Sequence, residues 1–175
     1  MVFLLFMDRI IIPPEYLEII DGPLVFVAGP IQGASRWQDR AASYLLTKDA
    51  GLHVASPRRL FDRTTDYSTV MYHEQVDWET YHLRKAGELG AILFWLIKES
   101  EHRCDRAYAE TTRFELGEWK MRHEQDGIKL VIGIEKGFTG ERYLRRRLMQ
   151  DCPEILICST LEETCDQALL LIRSA

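Results

Sequence analysis

A chain of 175 residues with 46% hydrophobic and 28% charged residues has the composition of a globular protein and fits a single domain. The formal net charge of −5 argues against a broad basic surface for a nucleic acid polymer. Four cysteines without C-x-x-C spacing and five histidines without zinc-binding spacing lead us to expect reduced thiols, a cytoplasmic location and no metal.

An apolar run of seven residues, MVFLLFM, opens the N-terminal segment 1–22. Such a run is too short to cross a bilayer, and no basic stretch precedes it as in a secretory signal. We therefore expect no membrane association. The segment is predicted to be an extended arm or an extra strand that ends at Pro13 and Pro14, followed by the folded domain over 23–175.

Short, uninterrupted apolar runs recur along this domain, which is typical of strands in a parallel sheet covered on both faces. The runs are LVFVAG at 24–29, the weaker GLHVAS at 51–56, AILFWLI at 91–97, KLVIGI at 129–134 and EILICS at 154–159. Helix-like segments alternate with them at 36–49, 73–88, 112–126, 140–150 and 160–173. This alternation predicts an α/β fold, a doubly wound five-stranded parallel sheet in the flavodoxin-like order 2-1-3-4-5 with helices on both faces.

The predicted strand order indicates where a ligand would bind. In open α/β sheets, ligands bind beyond the carboxyl ends of the strands where the winding reverses, here between the first and third predicted strands. The loop after the first strand, AGPIQGASRW, contains Gly29 and Gly33 but matches neither the dinucleotide fingerprint nor the P-loop. Its glycines would let backbone amides approach a ligand, yet an ordinary strand-to-helix turn has the same composition. Trp37 is expected either to face this cleft or to pack on the surface.

Glu79 lies in the helix-like segment that precedes the third predicted strand, beside an apolar stripe that starts at Val76. A carboxylate buried there needs a partner or a ligand, whereas a carboxylate at the edge of the stripe reaches water, and the sequence leaves both alternatives open. Asp77 and Trp78 are candidates for lining the cleft. We expect His82 to be a solvated helix residue.

The stretch TTRFELGEW, residues 111–119, allows two interpretations of Glu115. With Thr112 as the N-cap, Glu115 would complete a capping box worth about 0.5–2 kcal/mol. A helix N-terminus would equally hold the pKa of this carboxyl group low, so that Glu115 is ionised as a nucleophile at neutral pH. Gly117 predicts the close approach of a strand or a substrate.

Four segments in this order and spacing, VFVAGPIQG, DWETYHL, ILFWL and TTRFELGEW, resemble the nucleoside 2-deoxyribosyltransferase-like family, which includes nucleoside 5′-monophosphate N-glycosidases. The resemblance extends over residues 24–172. It implies cleavage or exchange of the N-glycosidic bond of a (deoxy)nucleoside or nucleotide through a covalent glycosyl-enzyme intermediate, without a cofactor. It also implies a homo-oligomer, which we expect to be a dimer.

The same resemblance implies that Glu115 is the nucleophile and that Glu79 is the closest match to the carboxylate that contacts the leaving base. The loop after the first strand would hold the sugar or its 5′ group, through Gly29, Pro30, Ile31, Gln32 and Gly33. The family often has a second carboxylate six residues before the nucleophile. Ala109 stands there in this sequence, with Glu110 or Asp105 as possible substitutes.

Two alternative functions stay open at the level of sequence. Related α/β folds use one glutamate in the same way on NAD, so an NAD-type N-glycohydrolase is one alternative. The altered carboxylate set favours a second, a non-catalytic nucleotide-binding or sensor module. Arg58 would contact a 5′-phosphate or lie on the surface, and Trp37 and Trp78 are candidates for stacking on a nucleobase.

Overall fold

The computed structural model describes residues 8–59, 68–102 and 104–174. One sheet contains six strands: β1 (Ile10–Ile11), β2 (Leu24–Ala28), β3 (His53–Ala55), β4 (Ala91–Leu96), β5 (Leu130–Ile134) and β6 (Ile157–Cys158). Their order is β1-β3-β2-β4-β5-β6, and every neighbouring pair is parallel. The parallel α/β class is confirmed, and the five predicted strands take the order 2-1-3-4-5.

The sheet has one strand more than the five predicted for the domain, and this strand comes from the N-terminal segment, for which an extra strand was one of the two expectations. Strand β1 has two residues, too few for an apolar pattern to indicate a strand, and it pairs in parallel with β3 at the edge of the sheet. Part of the N-terminal segment therefore belongs to the sheet. The apolar run at residues 1–7 lies outside the described residues.

The described residues contain five helices: α1 (Trp37–Lys48), α2 (Thr69–Leu89), α3 (Glu110–Asp126), α4 (Glu141–Asp151) and α5 (Leu161–Arg173). Side chains of β2 alternate between two buried clusters because successive residues of a strand point to opposite faces. Val25 and Val27 pack with α1 and α5, whereas Phe26 packs with α2 and α3. No helix in the described ranges has both the length and the apolarity that a membrane crossing requires.

The buried face of α2 differs from the predicted stripe. Trp78 and His82 are fully buried, whereas Val76 is 41% exposed. The indole N–H of Trp78 donates a 2.6 Å hydrogen bond to the carbonyl oxygen of Glu15, and its ring lies 4.1 Å from the imidazole of His82, measured between centroids. The prediction of a solvated His82 is wrong because the N-terminal segment packs over this face of the helix.

Helix α3 begins earlier than predicted. Its N-cap is Ala109, which has left-handed backbone angles (φ 58°, ψ 32°) and makes no side-chain capping bond. Thr112 is buried inside the first turn, so the predicted capping box is wrong, and Glu115 lies in the second turn. The expected close approach at Gly117 is also wrong, because a Cβ atom built there would have no neighbour within 4 Å among the described residues.

Candidate active site

A cavity of about 410 Å³ lies at the carboxyl end of β2, between α2 and the start of α3. This is the position predicted from the strand order. Its volume is within the range of small-molecule binding sites, roughly 300–1,000 Å³. The lining includes these predicted site residues: Gly29, Pro30, Ile31, Gln32, Glu79 and Glu115.

Gly29 and Gly33 lie in the first loop, the loop between β2 and α1. Gly29 allows close packing, and Gly33 attaches this loop to the loop after β4. A Cβ atom on Gly29 would collide with the carbonyl oxygen of Trp95 and lie 2.7 Å from the indole ring of Trp37, so this position has no room for a side chain. Gly33 (φ 76°) is outside the lining, and its carbonyl oxygen accepts a 2.8 Å hydrogen bond from the backbone N–H of Ser100. This bond holds together the two loops that leave the sheet at the site.

Trp37 and Arg58 lie behind the first loop rather than in the cavity lining. The indole N–H of Trp37 donates a 2.8 Å hydrogen bond to the carbonyl oxygen of Pro30, which also accepts from the side-chain amide of Gln38 at 3.2 Å. Arg58 is 7% exposed, and its guanidinium donates to the side-chain oxygen of Gln38 and the backbone oxygen of Ser35. Both side chains brace the loop from inside the protein, so the surface positions considered for them are wrong.

Asp77 and Trp78 are also outside the cavity lining. Asp77 is exposed, and Trp78 is buried against the sheet. The wall of α2 that faces the cavity consists of residues spaced three or four apart, as expected for one helix face. These residues are Tyr72, Gln75, Val76 and Glu79. Tyr72 precedes the predicted start of this helix at residue 73, and Gln75 lies outside the predicted apolar stripe, so neither was a predicted site residue.

Glu79 has a hydrogen-bonding partner inside the site. The side-chain amide of Gln75 donates to Glu79 Oε1 and to the carbonyl oxygen of Pro57, both at 2.8 Å. The oxygen of the same amide accepts a 2.9 Å hydrogen bond from Arg59 Nε, and Arg59 also pairs with Glu74 at 2.7 Å. Burial raises the pKa of Glu79, while the hydrogen bond from Gln75 and the positive charge of Arg59 act in the opposite direction.

Glu115 has a different environment. Its side chain is partly buried, and no described group donates a hydrogen bond to its carboxyl oxygens. Burial raises the pKa of Glu115 to about 8, and the negative charges of Glu79 and Glu118 add to this effect. The lowered pKa expected for a carboxyl group at a helix N-terminus is therefore wrong. Glu115 lies in the second turn of α3, beyond the N–H groups of the helix end, and its charged neighbours are acidic.

The two carboxyl groups interact, because the charge of Glu79 contributes to the raised pKa of Glu115. Burial raises the pKa of both carboxyl groups, and a first negative charge in the cavity disfavours a second. Two carboxyl groups in one cavity can divide two roles, one acting as a carboxylate and the other as a carboxylic acid. This combination can attack an electron-poor carbon and protonate a leaving group in the same step.

The segment between β4 and α3 and the start of α3 contribute further residues to the lining. Arg106 lines the cavity and is the one cationic side chain among its described lining residues. Glu110, one of the two possible substitute carboxylates, also lines the cavity, whereas Asp105 does not. The described ranges contain no group of three or more His, Cys, Asp or Glu residues that could hold a metal ion.

Comparisons with known proteins add little to this geometry. No family model matches the chain, and no curated protein does. One similar solved structure is a conserved protein from Enterococcus faecalis V583, with 12% sequence identity and a TM-score of 0.41 over 86% of this chain and 88% of that chain. A similarity of this size carries no argument about activity.

Proposed function

We propose that this protein cleaves or exchanges the N-glycosidic bond of a nucleoside or nucleotide. The observation that supports the proposal best is the pair formed by Glu79 and Glu115, two partly buried carboxyl groups in one cavity of nucleotide size. The resemblance of four sequence segments to the nucleoside 2-deoxyribosyltransferase-like family supports the same reaction independently.

The chemistry of the bond explains why two carboxyl groups are needed. The anomeric carbon develops positive charge as the base departs, and a carboxylate stabilises this charge or bonds to the carbon. A neutral nucleobase is a poor leaving group until it is protonated, so a carboxylic acid must lie near its ring nitrogen. A covalent glycosyl ester formed in this way is opened by water in hydrolysis or by a second base in exchange.

The remaining lining suits the parts of a nucleotide. Tyr72 and Val76 offer apolar surface on the α2 wall, against which a flat base can pack. The backbone of Pro30 and Ile31 lines the side of the first loop, and Arg106 supplies a positive charge that matches a 5′-phosphate. These features support a nucleoside 5′-monophosphate as one member of the substrate class.

The proposal is tested by incubating the protein with ribo- and deoxyribonucleosides, their 5′-monophosphates and NAD, followed by chromatography of free bases. Exchange is detected by adding a second base. Glu79→Gln and Glu115→Gln should each lower the rate of base release from the best substrate by at least about 100-fold. Glu124→Gln, which removes a carboxylate of α3 that pairs with Lys120 outside the cavity, should retain the wild-type rate.

Two results would oppose the proposal. Failure of the wild-type protein to release or exchange a base from any of these compounds would rule it out. Nucleoside binding in calorimetry without turnover would then favour the non-catalytic nucleotide-binding module. Release of nicotinamide from NAD alone would instead identify an NAD-type N-glycohydrolase.

A further inference from the structure

Gln75 lines the cavity together with Glu79, which lies one turn later on the same face of α2. We propose that Gln75 is a positioning residue of the proposed reaction: its amide holds the carboxyl group of Glu79 so that one oxygen, Oε2, is presented to the leaving base. This inference rests on the proposed function. It keeps the roles that the resemblance implies for Glu79 and Glu115.

The orientation of the Gln75 amide follows from its partners. Arg59 Nε, which can only donate, lies 2.9 Å from the side-chain oxygen of Gln75. The carbonyl oxygen of Pro57, which can only accept, lies 2.8 Å from the side-chain nitrogen. Exchanging the amide oxygen and nitrogen would place donor against donor and acceptor against acceptor. The amide therefore has one orientation, in which its second N–H points at Glu79 Oε1, 2.8 Å from the nitrogen.

This contact makes the two oxygens of Glu79 different. Oε1 accepts from Gln75, whereas no described residue donates to Oε2. A carboxylic acid carries its proton on one oxygen and leaves the other as the acceptor, so an N–H directed at Oε1 favours the proton on Oε2. In its acid form, Glu79 therefore keeps the O–H of Oε2 for a ligand in the cavity that it lines.

The amide is anchored outside α2, which makes it suitable for positioning. Pro57 and Arg59 belong to the segment after β3, and Arg59 is itself held by a 2.7 Å ion pair with Glu74. The Gln75 side chain thus connects that segment to the carboxyl group in the cavity. General acid catalysis requires the proton to lie within hydrogen-bonding distance of the leaving atom, so a carboxyl group held in one orientation transfers its proton more often than a freely rotating one.

The step that this arrangement assists is protonation of the leaving base, in the state in which the two carboxyl groups hold one proton and Glu79 carries it. The carbon–nitrogen bond breaks, its electrons go to the base nitrogen, and this nitrogen takes the proton of Glu79 Oε2. The anomeric carbon bonds to the carboxylate of Glu115. Water or a second base then attacks that carbon and gives a proton to Glu79, and the ester bond to Glu115 breaks. Both carboxyl groups return to their initial states.

Two variants test the role of Gln75, with the nucleoside or nucleotide from which the wild-type protein releases base fastest. Gln75→Met keeps the length of the side chain and removes all amide contacts, whereas Gln75→Glu keeps an acceptor for Arg59 and removes the N–H donors. In both variants we expect kcat to fall by about 10–100-fold and KM to stay within about threefold of wild type. Glu88→Gln removes an exposed carboxylate that pairs with Lys85 on the same helix, and it should retain the wild-type kcat and KM.

The pH–rate profile separates positioning from simple packing. The hydrogen bond from Gln75 lowers the pKa of Glu79, and the other charged groups that interact with this carboxyl group are Arg59 after β3 and Glu115 on α3. Loss of the hydrogen bond therefore raises the pKa of Glu79. Because the protonated form of Glu79 donates to the base, the alkaline limb of kcat should move to higher pH in Gln75→Met. A residue that only supports the cavity wall would leave this limb in place.

An unmoved alkaline limb in Gln75→Met, or a kcat within about threefold of wild type in either variant, would overturn the inference. If Gln75→Met does not fold, the kcat of Gln75→Glu decides the question. Base release by the wild-type protein together with either negative result would leave the proposed function intact. Absence of base release by the wild-type protein would refute the proposed function, and this inference with it.

Discussion

The raised pKa of Glu115 predicts a large dependence of stability on pH. The carboxyl group titrates near its ordinary value of 4.5 in the unfolded chain and at about 8 in the folded protein. The folded protein therefore binds this proton more tightly than the unfolded chain does. Between pH 4.5 and pH 8 the free energy of unfolding must decrease as the pH rises. At about 1.4 kcal/mol per pH unit, the full effect above pH 8 is on the order of 5 kcal/mol.

Glu115→Gln isolates this contribution, because glutamine has the shape of the protonated acid and does not ionise. Between pH 5 and pH 8 we expect the wild-type protein to lose about 3.5 kcal/mol of stability relative to this variant. Glu79 contributes its own pH dependence to both proteins, so most of that contribution cancels in the comparison. A loss of this size is a substantial fraction of the 5–15 kcal/mol that stabilises a typical domain.

The measurement is urea unfolding at pH 5, 6, 7 and 8, followed by the fluorescence of the four buried tryptophans. Glu18→Gln is the matched control because it removes an exposed carboxylate outside the cavity lining. The control should follow the wild-type curve. Parallel stability curves for the wild-type protein and Glu115→Gln would refute the inferred burial of this carboxyl group and the proton that it holds.

Four further substitutions give distinct results. Gly133→Ala should lower stability by about 1–3 kcal/mol in urea unfolding, because its Cβ would collide with the Thr164 hydroxyl, and unchanged stability would contradict this packing. Gly117→Ala should raise stability by about 0.5–1 kcal/mol without changing activity, because no described residue would contact a Cβ atom on this helix-interior glycine. Burial lowers the pKa of His82 from 6.5, so stability should fall as the pH drops below 6.5, and thermal unfolding of His82→Phe should lack that loss. Arg106→Leu should weaken calorimetric binding of a nucleoside 5′-monophosphate by about tenfold or more and leave nucleoside binding unchanged, whereas equal effects on both ligands would exclude a phosphate contact.

The order of elements follows from local sequence patterns. The apolar runs at 24–29 and 91–97 became β2 and β4, neighbours in the sheet, because continuous apolar segments bury both faces of a parallel strand. Strand order then located the cavity beside Gly29 and brought Glu79 and Glu115 to its lining. None of these steps requires knowledge of contacts between distant side chains.

The orientation of side chains on α2 and the charge of Glu115 depend on tertiary contacts. Trp78 and Asp77 are adjacent in sequence, but the N-terminal segment covers the first and leaves the second exposed. The sequence also suggested an ionised Glu115 at a helix start, whereas the left-handed Ala109 moved that start and α2 placed a second carboxylate nearby. The pattern of helices and strands is local and can be inferred from the spacing of apolar residues along the chain. The charge of a carboxyl group depends on removal of water and on neighbours from other elements, which only the folded chain brings together.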